Sequence, residues 1–407
     1  MYQIVIITSG QPSANPRAVK EAVFLSQNDF DVTFIYCPLS PWADLFDKKL
    51  FDENASIKWI AAGYHPVKNK AGYWYARLRK KVWQLISRYV QNKFDSNIKG
   101  SVLFSQELIK ESLKHKADLY IGHNLGAISA VAKVSEKYKA KAGFDAEDFH
   151  RGEFTDADEQ KQIAVSIEKK YFPMMDYCTV ASPLIGEAYT KIFPAQTFTI
   201  VNNVFSKKYL KQKKTIVEKK TINLFWFSQF IGPKRGLETV LLALNECYDL
   251  DLKLHLLGNI SESYKTIILA IVKDKAKILF LPATSPAEIF IIGAQFDIGL
   301  ATEIKETLNR EFCLTNKIFT YLLAGNALIL SDTKAQSKFL NDYPGAGLLY
   351  QSENVLHLAS TFRKLYSDGT LLNAMKENSL RLAEKELNWE NEAEVFIKII
   401  KSTLVID

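Results

Sequence analysis

Cysteine is scarce in this sequence. Four residues in 407, Cys37, Cys178, Cys247 and Cys313, stand far apart, without the paired spacing of a zinc site or a disulfide framework. They read as reduced, buried small hydrophobes of a cytosolic protein. Long hydrophobic runs are missing too. The longest charge-free apolar run, Ile318 to Ser331, is 14 residues and contains Gly325 and Asn326, whereas a spanning helix needs about 20. The first residues show no basic region ahead of a long apolar one, so no signal peptide is expected. A large excess of one charge is also absent: 52 Lys and Arg against 45 Asp and Glu leave +7. That balance favours anionic partners such as phosphates or acidic lipids and falls short of a nucleic-acid-binding composition. Two phosphate-binding signatures are lacking. Ser9-Gly-Gln-Pro-Ser-Ala-Asn-Pro-Arg17 stands where a Gly-x-Gly-x-x-Gly loop would follow the first strand, and no Gly-x-x-x-x-Gly-Lys-Ser/Thr occurs. A nicotinamide enzyme or a P-loop NTPase would lack its cradle.

What is present is a rhythm. Short apolar runs alternate with helix-period segments: 3–8, 32–36, 57–62, 118–122, 142–145, 177–181 and 198–201, then 222–227, 252–257, 277–281, 296–301, 327–331 and 347–350. Near-continuous apolar runs separated by helices indicate parallel strands covered on both faces. A basic stretch, Lys207 to Lys220, interrupts the rhythm and reads as a solvated linker. The expected organisation is α/β. An N-terminal Rossmann-like domain spans 1–206 and a C-terminal one 207–390, with a last helix, 391–404, that could belong to either half. Two such domains facing across a cleft would place ligands at the carboxyl ends of their strands.

The C-terminal half holds the richest segment. A strand ending at Ala301 puts Glu303 on the rim. A polar stretch with Asn309, Arg310 and Glu311 follows, and a helix then opens near Thr315, with Asn316 and Lys317 in its first turn and Gly325 at its close. Thr315 suits an N-cap. The N-terminus of that helix offers amides and a positive dipole end to a phosphate, to which Lys317 adds a charge. Lys234 and Arg235, in a Gly/Pro turn after the strand at 222–227, are a second cationic group suited to a diphosphate. Three Asp-x-Asp triplets, 29–31, 156–158 and 249–251, read as turns rather than metal ligands.

These segments together resemble the retaining glycosyltransferases of the GT-B fold, family 4. The resemblance runs through Ser13-Ala-Asn-Pro-Arg17, Val201-Asn-Asn-Val-Phe205, the turn within Phe227–Leu237, Thr315-Asn-Lys-Ile-Phe-Thr-Tyr-Leu-Leu-Ala-Gly325 and Leu387-Asn-Trp-Glu390. It implies transfer of a sugar from a nucleoside diphosphate donor with retention, no metal and no cofactor. Lys234, Arg235 and the amides around Thr315, Asn316 and Lys317 would hold the leaving diphosphate, with Gly10 allowing close approach of the donor. The first member of the family's Glu-x7-Glu pair would be Glu303 or Glu311; the spacing does not decide. Thr320 stands where the second member grips the ribose, which puts that contact in doubt.

In the N-terminal half, His123 follows one strand and Asp145, Asp148, His150 and Glu153 follow the next. The expected role is acceptor binding by Asn15, Asp145 and Asp148, with His123 close to the donor sugar and His150 left open. From Lys68 to Lys99, nine Lys or Arg face one acid, Asp95, and Leu78, Val82, Leu85, Ile86 and Tyr89 share one helical side. Such a helix suits an anionic membrane surface, and its other reading is an N-domain helix with its apolar side on the core. The expected protein is thus a cytoplasmic enzyme, with a possible peripheral site at the membrane, acting on a glycan or glycolipid in surface polysaccharide assembly. Two alternatives on the same fold are a sugar-nucleotide epimerase or hydrolase and a non-catalytic sugar-nucleotide-binding relative.

Overall fold

The structure is a computed structural model and describes residues 1–89, 95–156, 158–210 and 221–406. Every apolar run of the sequence forms a strand. The first seven are β1 Gln3–Thr8, β2 Asp31–Tyr36, β3 Lys58–Ala61, β4 Leu119–His123, β5 Lys141–Ala146, β6 Tyr177–Val180 and β7 Phe198–Ile200. They lie in the order β3-β2-β1-β4-β5-β6-β7, all parallel. The other six are β8 Ile222–Ile231, β9 Leu252–Ile260, β10 Ile278–Leu281, β11 Ile298–Ala301, β12 Ala327–Ser331 and β13 Gly347–Tyr350. Their order is β10-β9-β8-β11-β12-β13, again all parallel. The central strands β4, β11 and β12 are buried at every residue, which is why they read as unbroken apolar runs rather than as alternation. The fold is α/β, two Rossmann-like sheets, as the pattern implied.

The chain divides into two compact units, Met1–Val201 with Ala393–Asp407, and Asn202–Glu392. The division falls at Val201, not at residue 206, for a local reason. Asn202 donates through its backbone N–H and its Nδ2 to Glu392, at 3.0 and 2.7 Å, Phe205 accepts from the Trp389 amide at 3.0 Å, and Ser206 Oγ donates to Glu390 at 2.6 Å. Of the expected linker, 211–220 lies outside the described residues. The last helix, Trp389–Leu404, begins in the second unit and continues in the first, where Phe396 is buried with its ring 6.5 Å from that of Phe24.

In each sheet the chain changes direction beside its first strand, between β1 and β4 and between β8 and β11. Open parallel sheets bind ligands beyond the strands' carboxyl ends at that place. Strand β8 is longer than its apolar run. It continues past a bulge between Phe227 and Phe230 to pair Ile231 with Ile260. The bulge needs Gly258, at φ 146°, because a Cβ there would lie 1.9 Å from the Ser228 carbonyl oxygen.

Three helices matter below: α1 Pro16–Gln27, α2 Asp44–Glu53 and α3 Lys70–Tyr89. α1 starts where Pro16 at its first position and the Asn15 side chain, accepting from the Ala18 amide, place its N-terminus. The basic stretch 68–99 is helical over α3 and Ser96–Ser101; residues 90–94 lie outside the described residues. Among the described residues, no helix is long and apolar enough to cross a membrane. Two of the Asp-x-Asp triplets hold protein groups: Asp158 caps helix Glu159–Tyr171, and Asp249 receives both terminal nitrogens of Arg363 at 2.7 Å.

Candidate functional site

In the second unit the turn after β8 and the loop after β11 are tied together at the switch point. Thr302 Oγ1 donates to the Arg235 carbonyl at 2.9 Å. Gly236, at φ 73°, lies so close that a Cβ would stand 1.9 Å from the Thr302 carbonyl oxygen. The tie fixes the turn that carries Arg235, which lies within electrostatic reach of Arg310 on the short helix Leu308–Phe312. Both are half-buried, and neither guanidinium has a hydrogen-bonding acceptor among the described residues. Burial and then Arg310 push the Arg235 pKa down, while Glu303 draws it up. Two cations that repel one another, neither with an acceptor among the described residues, are an arrangement that an anion would relieve.

Helix Asn316–Ala324 follows the Arg310 helix in sequence. Thr315 is its N-cap residue but gives no side-chain capping bond, and its hydroxyl is buried with no partner among the described residues. The Ile318 amide donates to the Thr315 carbonyl at 3.1 Å, which leaves the amides of Asn316 and Lys317 to a ligand or to water. Gly325, at φ 71°, closes the helix as expected.

Four neighbouring expectations are revised by these contacts. Lys317 adds no open charge: its Nζ lies 2.7 Å from Glu303 Oε1 and 5.1 Å from the Trp226 ring centroid, and the residue is buried. Glu303 is saturated, its other oxygen accepting from Gln336 Nε2 at 2.7 Å. Burial alone would raise its pKa, but Lys317 and Gln336 hold it below the ordinary value. Glu311 is the open carboxylate of the two, half-buried, with Oε2 accepting from the Lys334 amide at 2.9 Å. Thr320 is buried and donates to the Asn316 carbonyl at 3.0 Å, so its hydroxyl serves its own helix. Lys234 is exposed and its charge is paired with Glu306, so it is not the open cation that was expected.

The first unit holds a buried ion network beneath the ends of β1, β4 and β5. Arg17 NH2 donates to Asp145 Oδ1 at 2.8 Å, and its NH1 to the Val201 carbonyl at 2.7 Å. His123 places Nε2 3.0 Å from Glu21 Oε2 and Nδ1 3.2 Å from Glu147 Oε1 and 3.3 Å from Asp145 Oδ2. Burial by itself lowers the His123 pKa, yet Glu21, Asp145 and Glu147 raise it well above the ordinary value. Burial likewise opposes ionisation of Asp145, but Arg17 and His123 hold it far below the usual carboxylate range. Carboxylates of Glu21 and Asp145 and a ring nitrogen of His123 lie within 4.8 Å of one another, a metal-like spacing. Arg17 already supplies a cation there and the three carboxylates favour the protonated form of His123, whereas a metal needs bare donors.

His123 and Asp145 have no exposed surface, which differs from the expectation of groups touching the donor sugar and the acceptor. Their geometry positions Glu147, whose side chain is 18% exposed. Asn15 is used as the cap of α1, with Nδ2 directed at Asn124 Oδ1, 3.4 Å away. Asn124 also accepts from Thr8 at 2.8 Å, and Gly10 lies in the same loop pair. Asp148 is half-buried after β5. His150 is buried, its Nδ1 2.8 Å from Glu153. Sequence reasoning missed Arg310, Glu147, Glu21 and Gln336. Glu21 had a signal: with Arg17 it places two charges four residues apart on the buried side of α1.

Neither a scan against protein-family models nor a search of curated proteins finds a match for this chain. Solved structures do match over its length. A sucrose-phosphate synthase from Thermosynechococcus elongatus superposes with a TM-score of 0.76 at 12% identity, covering 100% of both chains. Anabaena Alr3699/HepE, solved in complex with UDP-glucose, gives 0.72 at 12% identity, covering 99% of this chain and 100% of its own. A Listeria monocytogenes protein assigned to the UDP-N-acetylglucosamine 2-epimerases gives 0.61 at 10% identity, covering 98% and 96%. At such identity the likeness establishes one thing: the chain has the two-domain GT-B fold.

Proposed function

We propose that the protein is a retaining glycosyltransferase that moves a sugar from a nucleoside diphosphate donor to a glycan or glycolipid acceptor. The observation that carries this reading is the coupled cations Arg235 and Arg310, neither with an acceptor among the described residues, together with the helix at Thr315, which has no side-chain cap. Solved structures with this fold include HepE in complex with UDP-glucose, which supports a nucleotide-sugar as the ligand. As the donor's glycosidic bond breaks, negative charge grows on the departing diphosphate. The two guanidiniums and the amides of Asn316 and Lys317 stabilise that charge without reorganising. Protein cations thus take the part a divalent metal would otherwise play. Glu303 locks Lys317 and the helix start in place, while Glu311 is the carboxylate open to the donor. In the first unit, Glu147, held by His123, orients the acceptor hydroxyl. The acceptor belongs to surface polysaccharide assembly and is met at an anionic membrane surface.

A thermal-shift panel of UDP-, GDP-, ADP- and dTDP-sugars tests the donor seat. One nucleotide class raises the melting temperature, with EDTA present. Arg235→Ala and Arg310→Ala each weaken binding by about tenfold to a hundredfold, the worth of one charge-assisted contact, and the double variant shows no shift. A shift that survives the double variant refutes this placement. The neighbour assigned as an epimerase keeps a second reading in view: an epimerase or hydrolase turns over without acceptor, whereas the transferase requires one.

A further inference from the structure

We propose that the outward face of α3 docks this chain onto an anionic lipid surface. The inference deepens the reading of a membrane-borne acceptor and rests on it for its purpose, though not for its evidence. Trp74, Leu78, Val82, Leu85 and Tyr89 recur every three or four residues along α3, the spacing that ordinarily faces a core. Here the stripe faces water. These residues are 61, 64, 47, 57 and 88% exposed, and Tyr75 beside them 60%.

The inner side of α3 is a different set. Ala76 and Ser87 are buried, and Trp83 and Ile86 are half-buried. Arg79 pairs with Glu107 through two hydrogen bonds of 2.7 and 2.6 Å. The following helix packs on the same side, with the Gly100 position about 3.0 Å from the Gln84 backbone nitrogen for any added Cβ. The helix has satisfied its packing and still presents a second apolar face. Of the two sequence readings, the one that turns the apolar side to the core fails for most of α3; among the five residues named for that side, Ile86 alone is not largely exposed.

Charge identifies the occupant. α3 carries Lys70, Arg77, Arg79, Lys80, Lys81 and Arg88 and no acid, and of these Arg79 is turned inward to Glu107. Arg77 places its guanidinium 4.9 Å from the Trp74 ring centroid, and Lys81 is exposed along the same edge of the stripe. Trp and Tyr at a headgroup level, Leu and Val below them, and cations alongside are the composition of a helix lying in an interface. The surface extends past α3. His65 and Lys68 bind Asp44 at 3.0 and 3.1 Å, which ties the start of α3 to α2. That neighbourhood presents Trp42, Leu45, Phe46 and Val67, all exposed. A second copy seated on the stripe would set these cations against their own kind, so a lipid surface of negative charge is the occupant the face fits.

The test is sedimentation of the full chain with vesicles of phosphatidylcholine mixed with phosphatidylglycerol. The wild type binds at low salt, binds less as salt rises, and binds phosphatidylcholine alone far more weakly. Leu78→Glu with Leu85→Glu weakens binding by about a hundredfold, and Arg77→Glu with Lys81→Glu removes the salt-dependent part. The nucleotide thermal shift serves as a control for folding and is unchanged in both variants. A wild type that fails to bind mixed vesicles at low salt overturns the proposal. So does binding by the leucine variant equal to the wild type, or a stripe-dependent dimer in light scattering that ignores vesicles. Vesicle binding without any nucleotide shift upholds the docking face and refutes the transferase reading, so the two failures are distinct.

Discussion

His150 shows how a single buried side chain links this protein's stability to pH. Burial pulls its pKa down, but the bond to Glu153 and the fields of Glu153, Asp148 and Glu168 win, and the value rises from 6.5 to about 9. Its other nitrogen is buried without a partner, so the ring is held by one side. A folded pKa above the unfolded one means stability that is fully present below pH 6.5 and is lost as pH rises through about 9. The loss is about 3 kcal/mol at most, because Glu153 is 38% exposed and water screens the pair. Urea unfolding of wild type and His150→Gln across that window should show the wild type falling toward the variant. Parallel profiles from pH 6 to 10 would mean that His150 is neutral throughout.

At the scale of elements, the turn between β8 and the helix Leu237–Glu246 does the most for the candidate site, and two glycines in it separate geometry from flexibility. Gly236 needs its left-handed backbone and lies under the Thr302 carbonyl, whereas a Cβ on Gly232 meets nothing within 4 Å. Gly236→Ala should cost about 2 kcal/mol or more and weaken nucleotide binding by about tenfold, because Arg235 moves away from Arg310. Gly232→Ala should change neither. Equal behaviour of the two in calorimetric titration with UDP would show that the tie to Thr302 has no part in the site.

The same turn marks where sequence reading stops. Strand positions were legible because parallel strands covered on both faces are apolar over most of their length, and the helix start at Asn316 because Gly325 and Thr315 bracket it. Side-chain partners were not legible. Nothing local distinguishes Lys317, which is neutralised by Glu303, from Arg310, which is not, since the difference depends on which loop β11 delivers to which turn. α3 stayed open between two readings for a related reason: periodicity gives an apolar stripe, while only the packing of helix Ser96–Ser101 decides which side the core takes.

For the whole molecule, the division into units has a thermodynamic consequence carried by the last helix. Each sheet has its own core, that of the second unit built on Leu224, Trp226, Leu256, Leu300 and Ile329. Residues 393–407 belong to the first unit although they follow the second in sequence. Phe396 and Ile400 are fully buried, so the first unit is complete only when the chain returns to it. Phe396→Ala should cost that unit about 3–5 kcal/mol, the range for emptying a buried phenylalanine site, and leave the Arg235 and Arg310 seat intact. Two separate cores predict two calorimetric transitions, one raised by the nucleotide and one indifferent to it. The substitution should lower the indifferent transition and spare the other. A single transition moved by both the nucleotide and the substitution would show instead that the units unfold as one, and that the returning helix stabilises both.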